Sequence, residues 1–487
     1  MRKPLALLLA GLAGACTVGP NYKQPQLLTA ESYEGTHVAA ADAPVSVPLA
    51  TEADLSRWWT VLNDPELDSL IDRALKSNLD LLTAASRVRE SRQQEIVAGA
   101  KGLPQVNATG SAVKFHSNSS LASSLGGGSA VGSAAAASSA APTDTNITVY
   151  SVGFDASWEI DVFGGVRRGV EAAKAGTEAA QWQVHDGEVS LTAEIAANYL
   201  SLRATQARLA ILRGEARSQA DALSLINARR AAGFVTELDV NQQQALLASS
   251  NAQIPGQVAQ IRVLQHAIAV LLAEQPEALA PELDAAQPLP KAPPQLPVGL
   301  PSDLLRRRPD VRAAERQLAA ATAQEGVAIA ELYPKFNLLG ALSFTGNMLG
   351  TLISGNNFGQ VGIGAITWPL FKGGQIRANI KSKEEETQQA YYAYQKAVLG
   401  AVKDVEDALI RYTTEQQRMV ALQQSVTFGQ SSVALSLQQY QAGLVTYVNV
   451  LSAQANLFSA QDQLAQSRQT LMTNLASLYK ALGGGWS

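Results

Sequence analysis

Four histidines and one cysteine are the side chains of this 487-residue chain best suited to metal or thiolate chemistry. His37, His116, His185 and His266 are far apart in sequence. None has the His or Glu four residues away that would put two ligands on one helix face. Cys16 is the only thiol, so no internal disulfide and no two-cysteine centre exists. Gly164-Gly165 and Gly373-Gly374 are followed by no Lys-Ser/Thr, which a phosphate loop requires. They read instead as strand-to-helix turns, where glycine permits positive φ. No catalytic motif surrounds the Ser, Asp and His residues. The expectation is a non-enzyme with no cofactor and no metal. A net charge of −4, 16% charged residues and no basic run exclude a nucleic-acid partner.

Cys16 is placed for a different reaction. Arg2 and Lys3 precede an apolar run from Leu5 to Ala15, the pattern of a signal peptide. That run, about 11 residues, is too short to span a bilayer. Ala13-Gly14-Ala15-Cys16 resembles a bacterial lipoprotein box, in which the cysteine thiol is acylated, palmitate being one such group. The box usually has Leu three residues before the cysteine; here Ala13 stands there and Leu12 is one step early. Ordinary cleavage also fits, because Ala13-Gly14-Ala15 is an A-x-A site. Either route exports the chain and cuts before Cys16. Thr17 does not match the Asp that retains such lipoproteins at the inner membrane.

The elements that would position any function occur twice. Ala232-Gly233-Phe234-Val235-Thr236 returns as Ala442-Gly443-Leu444-Val445-Thr446, an offset of 210 residues. Leu103-Pro104-Gln105-Val106-Asn107 returns as Tyr333-Pro334-Lys335-Phe336-Asn337, an offset of 230. Each copy holds a helical stretch, a strand hairpin and two long helices around a Gly turn. Such a period is too long for a solenoid unit, so two half-proteins should lie side by side. The extra residues of copy one fall in a Gly-, Ala- and Ser-rich run within 116–146. That composition buries little apolar surface and reads as a loop.

From about residue 166 to 232 no proline occurs, which allows a helix about 100 Å long. Apolar residues repeat every seven. Ile195, Leu202, Leu209, Ala216 and Leu223 form one line, and Val398, Val405, Tyr412, Met419, Val426, Val433 and Tyr440 its twin. Val240 to Ile268 and Val450 to Leu478 continue the spacing after the Gly turns. A sustained 3.5-residue repeat means coiled-coil packing. Pro255 predicts a kink or break in the second helix of copy one. Residues 147–160 alternate, with Tyr150, Val152, Phe154, Ala156 and Trp158 on one face. In copy two Phe336, Leu338, Leu342 and Phe344 share a face. Four strands cannot close a barrel, and lipid forbids open edges. Two, three or four copies must therefore combine. A soluble sandwich with an aromatic stripe is the alternative.

Trp158-Glu159-Ile160-Asp161-Val162-Phe163-Gly164, Ala197-Asn198-Tyr199-Leu200, Gly299 through Asp310 and Leu478 through Trp486 resemble the outer-membrane efflux factors of the TolC/OprM type. The resemblance implies an α+β membrane protein, internally duplicated, with four strands per chain completing a trimeric 12-stranded outer-membrane β-barrel. That barrel joins a long periplasmic α-helical barrel with an equatorial domain. The expected layout is a signal peptide over 1–15 and a lipid-anchored tether and equatorial segment over 16–60. The first repeat is 61–276, with its hairpin at 104–160 and long helices at 166–276. A linker spans 277–300. The second repeat is 301–482, with its hairpin at 335–370 and long helices at 374–482, and 483–487 form a tail. The implied partners are two further copies of the chain, a periplasmic adaptor, an inner-membrane transporter of the proton-driven type, and outer-membrane lipid.

The function expected is an exit duct for drugs or other small toxic compounds. The alternatives are a duct for secreted polypeptide and a purely structural trimeric lipoprotein. The turns at Gly233 and Gly443 are expected at the periplasmic tip, with Phe234-Val235 and Leu444-Val445 as adaptor-docking pairs. Packing within the trimer is the other use of those pairs. In the resembling ducts a Tyr before the second turn and acidic rings after it close the pore. Tyr440 matches the Tyr; Asn449 and Ser452 stand where acids often sit, and Val448 offers an apolar constriction. The expected tie is a hydrogen bond from Tyr440 to Asp239, with Arg230 as the ion-pair partner of Asp239.

Overall fold

The computed structural model describes residues 17–25, 32–33, 46–49, 54–117 and 145–486. Cys16, the expected signal peptide and most of the expected 116–146 loop lie outside those residues. In chain order the elements are β1 (Val47–Leu49), α1 (Pro65–Ser77), α2 (Leu79–Ala100), β2 (Gln105–Ser117), β3 (Thr145–Ile160), α3 (Gly165–Ala231) and α4 (Glu237–Leu271). Then come α5 (Ala280–Leu283), β4 (Gln295–Pro297), α6 (Pro301–Arg307), α7 (Pro309–Ala330), β5 (Lys335–Gly346), β6 (Phe358–Thr367), α8 (Gln375–Gln441) and α9 (Tyr447–Ala481). Each repeat thus gives a hairpin, a 67-residue helix and a 35-residue helix. The chain divides into two compact units, and these cut across the repeats instead of following them.

Among the described residues, one unit comprises those within 1–23, 92–175 and 319–388 and holds the antiparallel sheet β2-β3-β5-β6. The central pairing, β3 with β5, joins the two repeats in register: Val152 faces Phe344, Phe154 faces Leu342 and Trp158 faces Leu338. These residues share one face, and Phe154, Leu342 and Leu338 are exposed on the single chain. The opposite face carries polar cross-strand contacts. Asn107 donates to Asp155 at 3.0 Å, Ser151 and Thr345 hydroxyls lie 3.4 Å apart, and Lys335 pairs with Glu159. It is not polar throughout, because Leu339, Val361 and Ile363 are exposed there too. β2 and β6 are the edges. A sheet with an apolar aromatic face and two edges needs further strands before it can sit in lipid.

The strand ends repeat a detail. The Trp158 indole donates to Gly102 O at 2.9 Å, and that of Trp368, 210 residues on, donates to Leu332 O at 3.0 Å. Tryptophans in that setting suit a membrane–water boundary, one end of the ring apolar and the other satisfied. Gly164 has φ +82° and Gly374 φ +85°, which makes both the strand-to-helix turns expected of them. The chain just after Cys16 is stitched to the first turn. Val18 N donates to Phe163 O at 3.1 Å, and the Arg168 guanidinium donates to Val18 O, Gly19 O and Asn21 Oδ1.

The other unit holds Gln24–Ser91, Gly176–Leu318 and Gln389–Ser487. Its helices bury the seven-residue lines: Ile195 and Leu202 in α3, Val405 and Tyr412 in α8, Ile268 in α4 and Leu478 in α9 are fully buried. Asp64 caps α1 by accepting from Glu66 N and Leu67 N, the usual satisfaction of orphan donors at a helix start. Arg203, completely buried, lies over the Tyr199 ring, pairs with Glu66 and donates to Ala285 O. In the Arg-Pro-Asp run Arg308 is held by Asp310, Asp404 and Ala481 O. The C-terminal Trp486 donates to Arg307 O and packs edge-on to Trp182. Of the kink or break expected at Pro255, no break occurs, and α4 continues through it. Proline removes one backbone bond, and the flanking turns of a long packed helix retain theirs.

Candidate functional site: the two helical turns

The α3–α4 and α8–α9 turns use one backbone solution. Gly233 has φ +81° and Gly443 φ +76°. Phe234 N returns to Arg229 O and Leu444 N to Gln439 O, both at 2.9 Å. These are the long-range bonds of a Schellman end, which needs a left-handed residue that glycine adopts without strain.

The side chains differ. In the first repeat Thr236 and Asp239 form a reciprocal capping box at the start of α4. Asp239 Oδ2 accepts from Thr236 N at 2.9 Å and from Thr236 Oγ1 at 2.8 Å. Arg230 pairs with Glu237 across the turn, both about half exposed. In the second repeat Asn449 stands in place of Asp239, and Thr446 makes no side-chain cap. Position 440 replaces Arg230 and position 447 replaces Glu237, so an aromatic pair replaces the ion pair. The rings of Tyr440 and Tyr447 lie 5.2 Å apart at 56°, and the Arg229 guanidinium sits 4.9 Å over Tyr440.

The expected tie is therefore corrected. Tyr440 does not donate to Asp239, and Arg230 does not pair with it. The Asp239 carboxylate is taken by its own cap, and Glu237 is the nearer acid for Arg230. The Tyr440 hydroxyl has no partner among the described residues. The tie between repeats is made by Tyr447, which the sequence reading passed over. Its hydroxyl donates to Gln243 Oε1 at 2.8 Å, and Gln243 Nε2 donates to Gln219 O at 2.8 Å. Burial, with the charge of Asp239 nearby, pushes the Tyr447 hydroxyl up to about 12. Below the tie, Ile226, Val240, Tyr447 and Val450 form a small core, with Val235 and Tyr440 packed against it.

The docking pairs split. Phe234 is 78% exposed and Leu444 75%, whereas Val235 and Val445 are half-buried. Only the first of each pair is exposed, and Val235 packs on the small core beneath the turns. Val448, Asn449 and Ser452 are exposed along the first turns of α9. No group of three or more His, Cys, Asp or Glu suited to a metal occurs among the described residues.

The family model described as "Outer membrane efflux protein" matches residues 70–274 and 300–484, one stretch in each repeat. The chain is 32% identical over 486 residues to the pyoverdine export outer membrane protein OpmQ of Pseudomonas aeruginosa, covering 99% of this chain and 97% of that one. It is 30% identical over 484 residues to the toluene efflux pump outer membrane protein TtgF of Pseudomonas putida, covering 99% and 96%. Its fold matches that of the outer-membrane channel OprN with a TM-score of 0.84 at 32% identity, over 97% of this chain and all of that one.

Proposed function

The chain belongs to the outer membrane efflux protein family, and we propose that it passes drugs and other small toxic compounds outward as the passive final duct of a three-part pump. Four strands per chain, one apolar face and two unpaired edges suit a barrel closed by three copies. The helices are the periplasmic part of that fold. A periplasmic adaptor and an inner-membrane transporter supply the compound and the energy, so the duct itself needs no catalytic group.

The observation that carries the small-molecule reading is the match through both repeats to relatives named for pyoverdine export and toluene efflux. Both cargoes are small compounds, which favours this reading over a polypeptide duct. Docking falls to Phe234 and Leu444, and closure to Val448, Asn449 and Ser452 with the Tyr440–Tyr447 pair. Cys16 carries the lipid anchor, and the Arg168 bonds to residues 18–21 hold the segment that follows it. Mass spectrometry of the mature N-terminal peptide reads the lipid directly; an unmodified Cys16 rejects it. The cargo is tested by deleting the chain from its host. Increased sensitivity to solvents and dyes with an unchanged set of secreted proteins is expected. Unchanged sensitivity with loss of a secreted polypeptide overturns the reading.

A further inference from the structure

Beneath the turns, α3, α8 and α9 enclose a cleft of about 530 Å³. Its walls are mainly apolar and include Val426, Leu457, Phe458 and Leu464. Three oxygens of its lining residues have no hydrogen-bond partner among the described residues: Glu215 Oε2, Gln219 Oε1 and Gln454 Oε1. Gln219 is only 3% exposed. Its amide nitrogen is committed to Glu215 Oε1 at 2.6 Å, with Ser250 Oγ at the limit of contact with the same oxygen. Buried acceptors normally find donors, and these three belong to residues that line one cleft.

The fold does not need this set. The residues 210 positions on from Glu215, Gln219 and Ser250 are Ser425, Gly429 and Ala460. A side chain at Gly429 would meet Leu457 at 3.2 Å, so the second repeat packs its helices close where the first inserts polar groups. Glu215, Gln219 and Ser250 are the first repeat's own, whereas Gln454 comes from the second, where its counterpart 210 residues back, Gln244, is also a glutamine.

We propose that this cleft binds a small organic primary ammonium ion, with the three N–H groups donated to Glu215 Oε2, Gln219 Oε1 and Gln454 Oε1 and the hydrocarbon laid against Val426, Leu457, Phe458 and Leu464. An ammonium group has three donors and no acceptor, which matches three unpaired acceptors. The volume falls in the range of organic-ligand sites, and apolar walls with a few convergent polar groups are their usual make-up. A divalent metal fits poorly, because only one of the three oxygens belongs to a carboxylate and hard cations favour several. Two other charged groups lie near: Arg468 lines the cleft with Glu215, and Asp462 acts on the Glu215 charge. Arg468 of α9 donates to Gln423 of α8, and Asp462 of α9 is held by Arg208 of α3. α4 contributes the uncharged Ser250.

Burial, with a smaller push from Asp462, raises the Glu215 carboxyl to about 8. Near neutral pH the unliganded acid is mostly protonated. An arriving ammonium favours the carboxylate, so binding releases a proton and tightens as pH rises towards 8.

The test is calorimetric titration of the purified assembly with tryptamine, and with tryptophol as the uncharged counterpart. Binding does not depend on export, so this result and the cargo result fail separately. Tryptamine is expected to bind at least about tenfold more tightly than tryptophol, as hydrogen bonds to charged groups warrant. Glu215→Gln and Gln454→Leu should each lose about tenfold, and affinity should rise between pH 6.5 and 8. A correctly assembled protein that binds both probes equally overturns the proposal. So does binding unaffected by either substitution. Absence of binding also overturns it, and means a neighbouring subunit fills the cleft.

Discussion

Tyr440 and Tyr447 face each other across the Gly443 turn at the two positions where the other repeat sets Arg230 against Glu237. Duplication preserved the backbone of the turn and exchanged its closure, from an exposed ion pair to a ring pair that continues into a buried bond to Gln243. The two hairpins of one chain are therefore not equivalent at their ends. The second is tied to the first.

Loss of that tie should cost more than loss of the ion pair. Tyr447→Phe leaves Gln243 Oε1 without its donor inside the core, a cost of about 1–3 kcal/mol. Glu237→Gln removes a pair about half exposed to water, worth at most about 1 kcal/mol. Hydrogen exchange of residues 440–452 should speed up markedly in Tyr447→Phe and little in Glu237→Gln. Equal effects would show that the buried bond is not the stronger closure.

Asp239→Ala and Tyr440→Phe should act independently. Asp239 holds the start of α4, and losing such a cap costs about 0.5–2 kcal/mol. Tyr440 holds Tyr447 and Arg229 by its ring, which phenylalanine retains. In a double-mutant cycle read by the melting temperature of the trimer, the two changes should add. A coupling well above the error would restore a direct contact between them.

Docking should follow the exposed member of each apolar pair. Phe234→Asp with Leu444→Asp should abolish adaptor capture and efflux while trimers persist. Val235→Asp should instead disturb the turn itself, because Val235 packs on the Ile226–Val450 core. Cross-linking to the adaptor reads the first effect and hydrogen exchange the second. Full adaptor capture by the Phe234 and Leu444 double variant would remove the docking assignment.

Glu215 sets a pH dependence of stability. Its carboxyl titrates near 4.5 when unfolded and is raised to about 8 in the folded chain. Between those values the folded state binds the extra proton, so this residue's contribution falls as pH rises and levels off above about 8. Glu215→Gln removes that loss. Relative to the parent, its melting temperature should be higher at pH 8 than at pH 5. A difference that is the same at both pH values would mean that Glu215 is not held protonated.

Local regularities made much of the fold legible. The seven-residue lines became the buried seams because a helix face depends only on spacing, as Ile195 and Val405 illustrate. Alternation placed Val152, Phe154 and Trp158 on one sheet face, and the register confirms their partners Phe344, Leu342 and Leu338. The trimer rested on resemblance, since four strands require company without fixing a number. The turn chemistry was misread where it depends on which helices meet. Tyr447 and Gln243 are 204 residues apart, and no local pattern joins them. One signal was available: the repeats disagree at 230/440 and 237/447 together, which marks those positions as a pair. Asp239 could also have been recognised as a cap, since Thr236-x-x-Asp239 opens a helix.

The most direct measurement is the rate at which preloaded ethidium leaves energised host cells that lack the chain, against the same cells supplied with it. The account predicts slow loss without the chain and rapid loss once it is restored, with the rate falling to the deletion level when the proton gradient is collapsed. Equal rates with and without the chain, while other outlets for the dye are disabled, would contradict it.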